Sequence, residues 1–291
     1  MRGGLVVVVL NWNGADDTIR CLHSLDAAAL ETSFRVLVVD NGSSDGSAGR
    51  IRREHPDAEI LELPSNLGYG GGNNAGFRRA EEMGADEVLF LNNDTVVDSG
   101  FALPLLTVLR GEGGAGAVVP KIFYMANPSL IWYAGGEVSL RSGLVRHVGL
   151  RRHDGPRFSR QGTTGYATGC CVGLRVGVVR ALGGFDEAFG MYAEDVDLSL
   201  RLRAMGLRIV FVPSSMVWHR VSGAFEGRLL RKLWLRTAST VRLLQKHGTP
   251  FSVPLFLLLL PLRLVPAAAG MFFSSFAGRR AHERLQECCG W

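Results

Sequence analysis

The chain has 291 residues, 47% hydrophobic and 20% charged, so it can bury a large core and is not a disordered chain. Its formal charge of +5 is mildly basic and suits anionic partners such as nucleotide phosphates or an acidic membrane surface. The basic residues are not interleaved with aromatics in one run, which argues against a nucleic-acid binder. Five cysteines, four of them in the neighbouring pairs Cys170-Cys171 and Cys288-Cys289, offer neither C-x-x-C zinc spacing nor a secreted disulfide framework, and are expected to be reduced.

Leu5-Val9 is a continuous apolar run, too short for a signal peptide, and reads as a buried first strand. Asn11-Trp12-Asn13-Gly14 then turns the chain into a helix capped by Asp16 and Asp17, with Ile19, Leu22 and Leu25 on one face. Arg35-Val39 is the next strand and ends in the turn-rich Asp40-Asn41-Gly42-Ser43-Ser44-Asp45. A short strand at Glu59-Leu63 leads to the loop Asn66-Leu67-Gly68-Tyr69-Gly70-Gly71-Gly72-Asn73-Asn74 and a helix carrying Phe77, Ala80 and Met83. Glu87-Leu91 is the fourth strand, closed by Asn92-Asn93-Asp94. Strands alternating with helices predict a mainly parallel sheet whose ligand sits beyond the strands' carboxyl ends. Asn11 and Asn13, Asp40 and Asn41, and Asn92 and Asp94 all fall there.

The second part is less regular. Ala117-Ile122 reads as a strand, Ile131-Val148 as glycine-broken extended chain and Cys171-Leu174 as a further strand. Asp195 opens a helix with Leu198, Leu202 and Met205 on one face, stopped by Gly206; Leu207-Val212 is a strand ending at Pro213. From Arg228 a helical stretch carries Arg231, Lys232, Arg236, Arg242 and Lys246 among leucines. Phe251-Ala277 is almost wholly apolar but is interrupted by Pro254, Pro261, Arg263 and Pro266, which disfavours a spanning helix. It is expected to lie in one membrane leaflet with the basic stretch on anionic headgroups; a buried helical hairpin is the alternative.

Several residues carry chemistry. Asp94, at a strand end, is a natural oxygen ligand for a divalent cation, although Asn-Asn-Asp also makes simple turns. Glu194-Asp195-Val196-Asp197 offers a carboxylate to accept a proton, with mutual repulsion raising one pKa, or merely caps a helix. His219 could complete a metal's coordination, touch a diphosphate, or be structural. The glycine-rich segment lacks the Gly-Lys-Ser/Thr of a P-loop and the spacing of a dinucleotide fingerprint; it reads as backbone that passes close to a base or ribose.

Taken in order, Asn11-Trp12-Asn13, Val38-Val39-Asp40-Asn41-Gly42-Ser43, Asn66 to Gly76, Leu91-Asn92-Asn93-Asp94-Thr95, Gly183-Gly184-Phe185-Asp186-Glu187 and Glu194-Asp195-Val196-Asp197 closely resemble the family 2 glycosyltransferases of the GT-A fold. The match is nearest to the rhamnosyltransferase-like branch, whose members build bacterial cell-wall and surface polysaccharides, and it covers about residues 5–223. The resemblance implies an α/β GT-A domain, with a mainly parallel central sheet flanked by helices, over 1–227; the change of character beyond Gly227 makes 228–291 a basic, apolar helical appendage expected at the membrane. The resemblance also implies an inverting transfer from a nucleoside-diphosphate sugar to a glycan or lipid-linked acceptor; the basic stretch and Phe251–Ala277 place that transfer, as an expectation, at the cytoplasmic face of the inner membrane. Asp195 would be the catalytic base, with Glu194 as the second catalytic acid beside it. Asn11, Asn13, Asp40, Gly68 and Asn93 would line the nucleotide site, and Gly169 the sugar and acceptor segment. Asp94, with Asn92 and His219, would hold Mg²⁺ or Mn²⁺. Asn92 stands where many relatives carry an acid, and the Gln-x-x-Arg-Trp signature of processive synthases is absent, which argues for adding one sugar or a few. A non-catalytic nucleotide- or glycan-binding partner is the competing reading.

Overall fold

The computed structural model describes residues 4–111, 113–221 and 229–261. The first half alternates as expected: β1 (Leu5–Asn11), α1 (Ala15–Ala29), β2 (Arg35–Asp40), α2 (Ser47–Glu54), β3 (Glu59–Glu62), α3 (Gly68–Glu82) and β4 (Glu87–Asn92). β4, β1, β2 and β3 lie side by side and parallel. Every residue from Leu5 to Val9 is buried, as a strand covered on both faces requires. α1 buries Ile19, Leu22 and Leu25, each stabilising by roughly 1.5–3 kcal/mol. Gly14 is its N-cap and Asp16 and Asp17 lie inside the first turn, where they complement the helix dipole instead of capping it.

The glycine-rich segment is not a loop. It is the N-terminal half of α3, and its glycines let the helix lie close on the sheet. A Cβ on Gly72 would strike Leu10 and Asn41; one on Gly76 would meet Val8 Cγ1 and Val39 Cγ2 at 2.5 and 2.8 Å. Of the glycines in this stretch only Gly68 needs a left-handed backbone, at φ +73°.

The second half is built around β6 (Ala115–Tyr124), which follows β5 (Thr95–Val97) and α4 (Ala102–Arg110). The end of β7 (Asn127–Tyr133) and the hairpin β8 (Gly136–Ser139) and β9 (Leu144–His147) resolve the glycine-broken region, and the short strands β10 (Arg152–His153) and β11 (Gly162–Thr163) follow it. β12 (Cys171–Arg175) joins the halves by running antiparallel to β4 on one side and β6 on the other. α5 (Val176–Leu182) and α6 (Glu194–Ala204) precede β13 (Arg208–His219), which pairs with β6. β13 does not stop at Pro213. The proline, which has no N–H to donate, falls in the register break between Val212 and Met216, and the strand resumes to His219. Met205 is 48% exposed and does not share the buried face of Leu198 and Leu202.

α7 (Leu229–His247) packs its C-terminal half on the rest of the chain: Leu243 and Leu244 are buried, and Ser239 Oγ donates to the Met191 carbonyl at 2.8 Å. Residues 252–261 continue in helix; the remainder of the apolar segment, 262–277, lies outside the described residues. Among the described residues no helix is long and apolar enough to cross a membrane. Cys21, Cys170 and Cys171 are buried and unpaired, while Cys288 and Cys289 lie outside the described residues.

Candidate active site

The site follows the carboxyl edge of the parallel strands. Register sets Asn11 beside Asp40 and Leu10 beside Asn92, so three strand ends arrive together. Asn11 Nδ2 donates to Asp40 Oδ1 at 2.7 Å, and Ser43 Oγ donates to the same oxygen at 2.5 Å. Thr18 Oγ1 donates to Asn11 Oδ1 at 2.8 Å, and Asn93 Nδ2 donates to Thr18 Oγ1 at 3.0 Å. Asn13, at φ +51°, accepts from the Ser44 N–H on its side-chain oxygen, and its own N–H donates to Ser43 Oγ. Asn11, Asn13, Asp40 and Asn93 are therefore one hydrogen-bonded network. Asn41 extends it: Leu67 N–H donates to its Oδ1, and its Nδ2 donates to the Gly68 carbonyl at 3.0 Å. A cavity of about 540 Å³ is lined by Asn13, Gly14, Asp45, Arg50 and Arg220 among others.

One residue past this network, the antiparallel pairing of Thr95 with His219 sets His219 against Asp94, with Nε2 to Oδ1 at 3.1 Å. Both side chains are about nine-tenths buried. The Trp132 ring meets His219 edge-on at 4.6 Å, and His219 Nδ1 is buried without a partner among the described residues. A carboxylate and an imidazole converging in a buried position suit a divalent cation in donor type. Asn92 contributes its backbone here, its N–H donating to the Cys170 carbonyl and its own carbonyl accepting from Thr95 Oγ1.

The acids of α6 form the third part. Tyr192 and Ala193, at φ +70° and +67°, are consecutive left-handed residues that turn the chain into the helix, a conformation costing of order 1–3 kcal/mol each. Gly169 N–H donates to Asp195 Oδ2 at 2.9 Å, and Val196 N–H to Oδ1 at 2.8 Å. Burial pushes the Asp195 carboxyl up, against those two amide bonds. Burial, then the neighbouring Asp195, pushes Glu194 up to about 8, and Glu194 Oε2 has no partner among the described residues. Asp197, two residues on, goes the other way. Burial opposes its ionisation, but Lys246, His247 and Arg201 together hold its carboxyl below the ordinary range.

Gly169 and Cys170 tie the parts together. Tyr69 Oη donates to the Gly169 carbonyl at 2.5 Å, and a Cβ on Gly169 would press into Tyr69 Oη at 2.7 Å. The Cys170 carbonyl accepts from the Asn92 N–H, two residues before Asp94, while the adjoining Gly169 N–H donates to Asp195, so this short segment touches both acidic groups of the site.

A family model, Glycosyl transferase family 2, matches residues 6–183. This chain belongs to that family. Within it the chain falls in the rhamnosyltransferase-like branch and is a glycosyltransferase. It is similar to a Mycobacterium tuberculosis protein named N-acetylglucosaminyl-diphospho-decaprenol L-rhamnosyltransferase, 31% identical over 242 residues, covering 75% of this chain and 76% of that one. It also resembles the O-antigen biosynthesis protein RfbC of Myxococcus xanthus, 29% identical over 260 residues, covering 86% of this chain but 20% of that protein. Two solved structures share the GT-A-like fold. GalNAc-T7 with UDP, GalNAc and Mn²⁺ superposes with a TM-score of 0.63 at 17% identity, over 83% of this chain and 47% of that one. The mannosyltransferase PcManGT of Pyrobaculum calidifontis, in complex with GDP-Man and Mn²⁺, gives 0.57 at 18% identity, over 94% and 80%.

All the site residues expected from the transferase's sequence lie on this edge, in three adjoining groups. Tyr69, Trp132, Thr18 and Ser43 were not among them. Tyr69 could have been found only as the one aromatic in a run of glycines; Trp132 carries no local signal, because its contact with His219 spans the β6–β7 and β6–β13 pairings.

Proposed function

We propose that the transferase inverts configuration in a single displacement, moving a rhamnose-type sugar from a nucleoside-diphosphate donor to a hydroxyl of a glycan or lipid-linked acceptor in cell-wall or surface polysaccharide synthesis. The observation that carries this reading is the buried Asp195, one oxygen fixed by the Gly169 N–H, on the segment whose Cys170 carbonyl is bonded to the strand end that carries Asp94. Asp195 takes the acceptor hydroxyl's proton as that oxygen bonds to the anomeric carbon. The anomeric carbon's bond to the diphosphate oxygen breaks, and its electron pair leaves with the nucleotide. Asn11, Asn13, Asp40, Gly68 and Asn93 shape the nucleotide side of the site, and Gly169 the sugar side. Mg²⁺ or Mn²⁺ would be held by Asp94 and His219, with Asn92 beside them, and would supply neutralisation of the charge on the departing diphosphate. Support for a nucleotide-sugar donor and a divalent cation comes from the neighbours with UDP or GDP-Man and Mn²⁺, and for a lipid-linked acceptor from the name of the mycobacterial relative.

In this reading residues 1–227 carry the chemistry and 228–291 hold the enzyme on the cytoplasmic face of the plasma membrane. Leu230 and Trp234 are 82% and 68% exposed on α7 beside the exposed Arg231, and Phe251 is 80% exposed, an apolar and basic surface suited to anionic headgroups. The test is melting temperature with dTDP, UDP and GDP, each with and without Mn²⁺. A nucleotide at a hundred times its Kd adds about 2.7 kcal/mol. The reading expects a Mn²⁺-dependent rise for one nucleotide that Asp94→Asn removes; no rise with any of them would overturn it.

A further inference from the structure

A second cluster of metal-type donors lies away from this edge. α1 and α2 both run back from the carboxyl ends of their strands, so the turn between α2 and β3 sits at the amino ends. His23 and Asp26 are three residues apart on α1 and hence share a helix face, roughly 12–17 Å along the axis from Ala15. His55 follows α2 and is carried against that face. One donor atom from each of His23, Asp26 and His55 lies within 4.8 Å of the others, and the two imidazole rings are 4.6 Å apart.

His55 distinguishes this cluster from a chance grouping of surface side chains. Its side chain is only 9% exposed, and its Nε2 is buried with no hydrogen-bond partner among the described residues. Its Nδ1 lies 3.5 Å from Asp26 Oδ2, too long for a strong hydrogen bond. The nitrogen of this buried ring that faces Asp26 is thus without a strong partner in the protein and is the one placed to take an ion. A separation of 3.5 Å does match the edge of a tetrahedron whose bonds to nitrogen and oxygen are about 2.0–2.2 Å long. His23 and Asp26 are exposed, so the fourth position opens to water.

We propose that His23, Asp26 and His55 form a zinc-type transition-metal site, separate from the catalytic edge, that clamps α1 to the turn between α2 and β3. Two imidazoles and a single carboxylate favour Zn²⁺ over Mg²⁺, which takes oxygen ligands. Because the ion binds only the folded arrangement, it raises the stability of that half of the sheet.

The test is a Zn²⁺ titration of the full chain by calorimetry, made in an Asp94→Asn background so that Asp94 contributes nothing, with melting temperature read in parallel. The background protein is expected to bind one Zn²⁺ with a rise in melting temperature. Adding His23→Ala or Asp26→Asn, both at exposed positions where folding is not at stake, is expected to weaken that binding at least about tenfold and remove the rise. Transfer activity of His23→Ala in the otherwise wild-type chain should be unchanged. Absence of one-to-one binding in the background, or unchanged binding in both variants, would overturn the proposal.

Discussion

Glu194→Gln probes the acid pair without touching the carboxylate assigned to catalysis. Burial and the adjacent Asp195 raise Glu194 from the ordinary value of 4.5 to about 8. Between those values the folded protein holds a proton that the unfolded chain has released. Each pH unit crossed in that window therefore lowers stability by up to about 1.4 kcal/mol, for at most about 5 kcal/mol in all. The contribution is fully present below the unfolded value and is lost as pH rises through the folded one. Glutamine keeps the shape and cannot ionise, so the variant should match the wild type near about pH 4.5 and exceed it increasingly toward about pH 8. Asp195 is raised for the same first reason and leaves a residual slope of the same sign in both proteins. Urea unfolding at several pH values across the window gives the difference directly. Parallel stability curves for the two proteins would refute the reasoning, as would a variant that loses ground as pH rises.

Tyr69→Phe removes the hydroxyl that holds the Gly169 carbonyl, and with it the register of the Gly169 N–H on Asp195. It should lower stability by about 1–3 kcal/mol; turnover should fall more than donor affinity, with the acid limb of the pH–rate profile displaced, and an unmoved profile would assign Tyr69 to packing alone. Gly76→Ala places a methyl against Val8 and Val39 and should cost about 1–3 kcal/mol, seen as a drop in melting temperature of several degrees. A variant as stable as the wild type would show that α3 can lift from the sheet freely. Leu230→Glu with Trp234→Glu should release the protein from vesicles containing phosphatidylglycerol without changing its melting temperature by more than about 2 °C; retained vesicle binding would remove α7 from the membrane reading.

The parallel half was legible in the sequence because its strands are continuous Val, Ile and Leu runs ended by polar turns, and β1, β2 and β4 lie within a few residues of where those runs place them. α3 was misread because glycine lowers helix propensity. What fixes the helix is its approach to Val8 and Val39, which is a tertiary contact. β13 was cut short for a similar reason: Pro213 stops a strand only where its missing N–H is needed, and the register break removes that need. The acids, Asp94 and His219 could be read because the resemblance assigns each a place in an ordered series. Tyr69 and Trp132 could not, because each earns its position from a residue about 90–100 positions away in sequence, set by pairings no local pattern encodes. The fall of Asp197 was equally hidden, since Lys246 and His247 reach it from α7; a rise among its neighbours was expected from repulsion, but burial, its first cause, was not.

The most direct measurement is turnover of Asp195→Asn on a nucleotide-sugar donor that the wild type uses, with nucleotide affinity measured on the same protein. Asparagine keeps the size of the group that accepts from Gly169 N–H but cannot take the acceptor's proton. Loss of a general base predicts turnover falling by about 10²–10⁴-fold, with nucleotide affinity held within about threefold. Full turnover in Asp195→Asn would contradict the account, since the buried carboxylate would then not be the base.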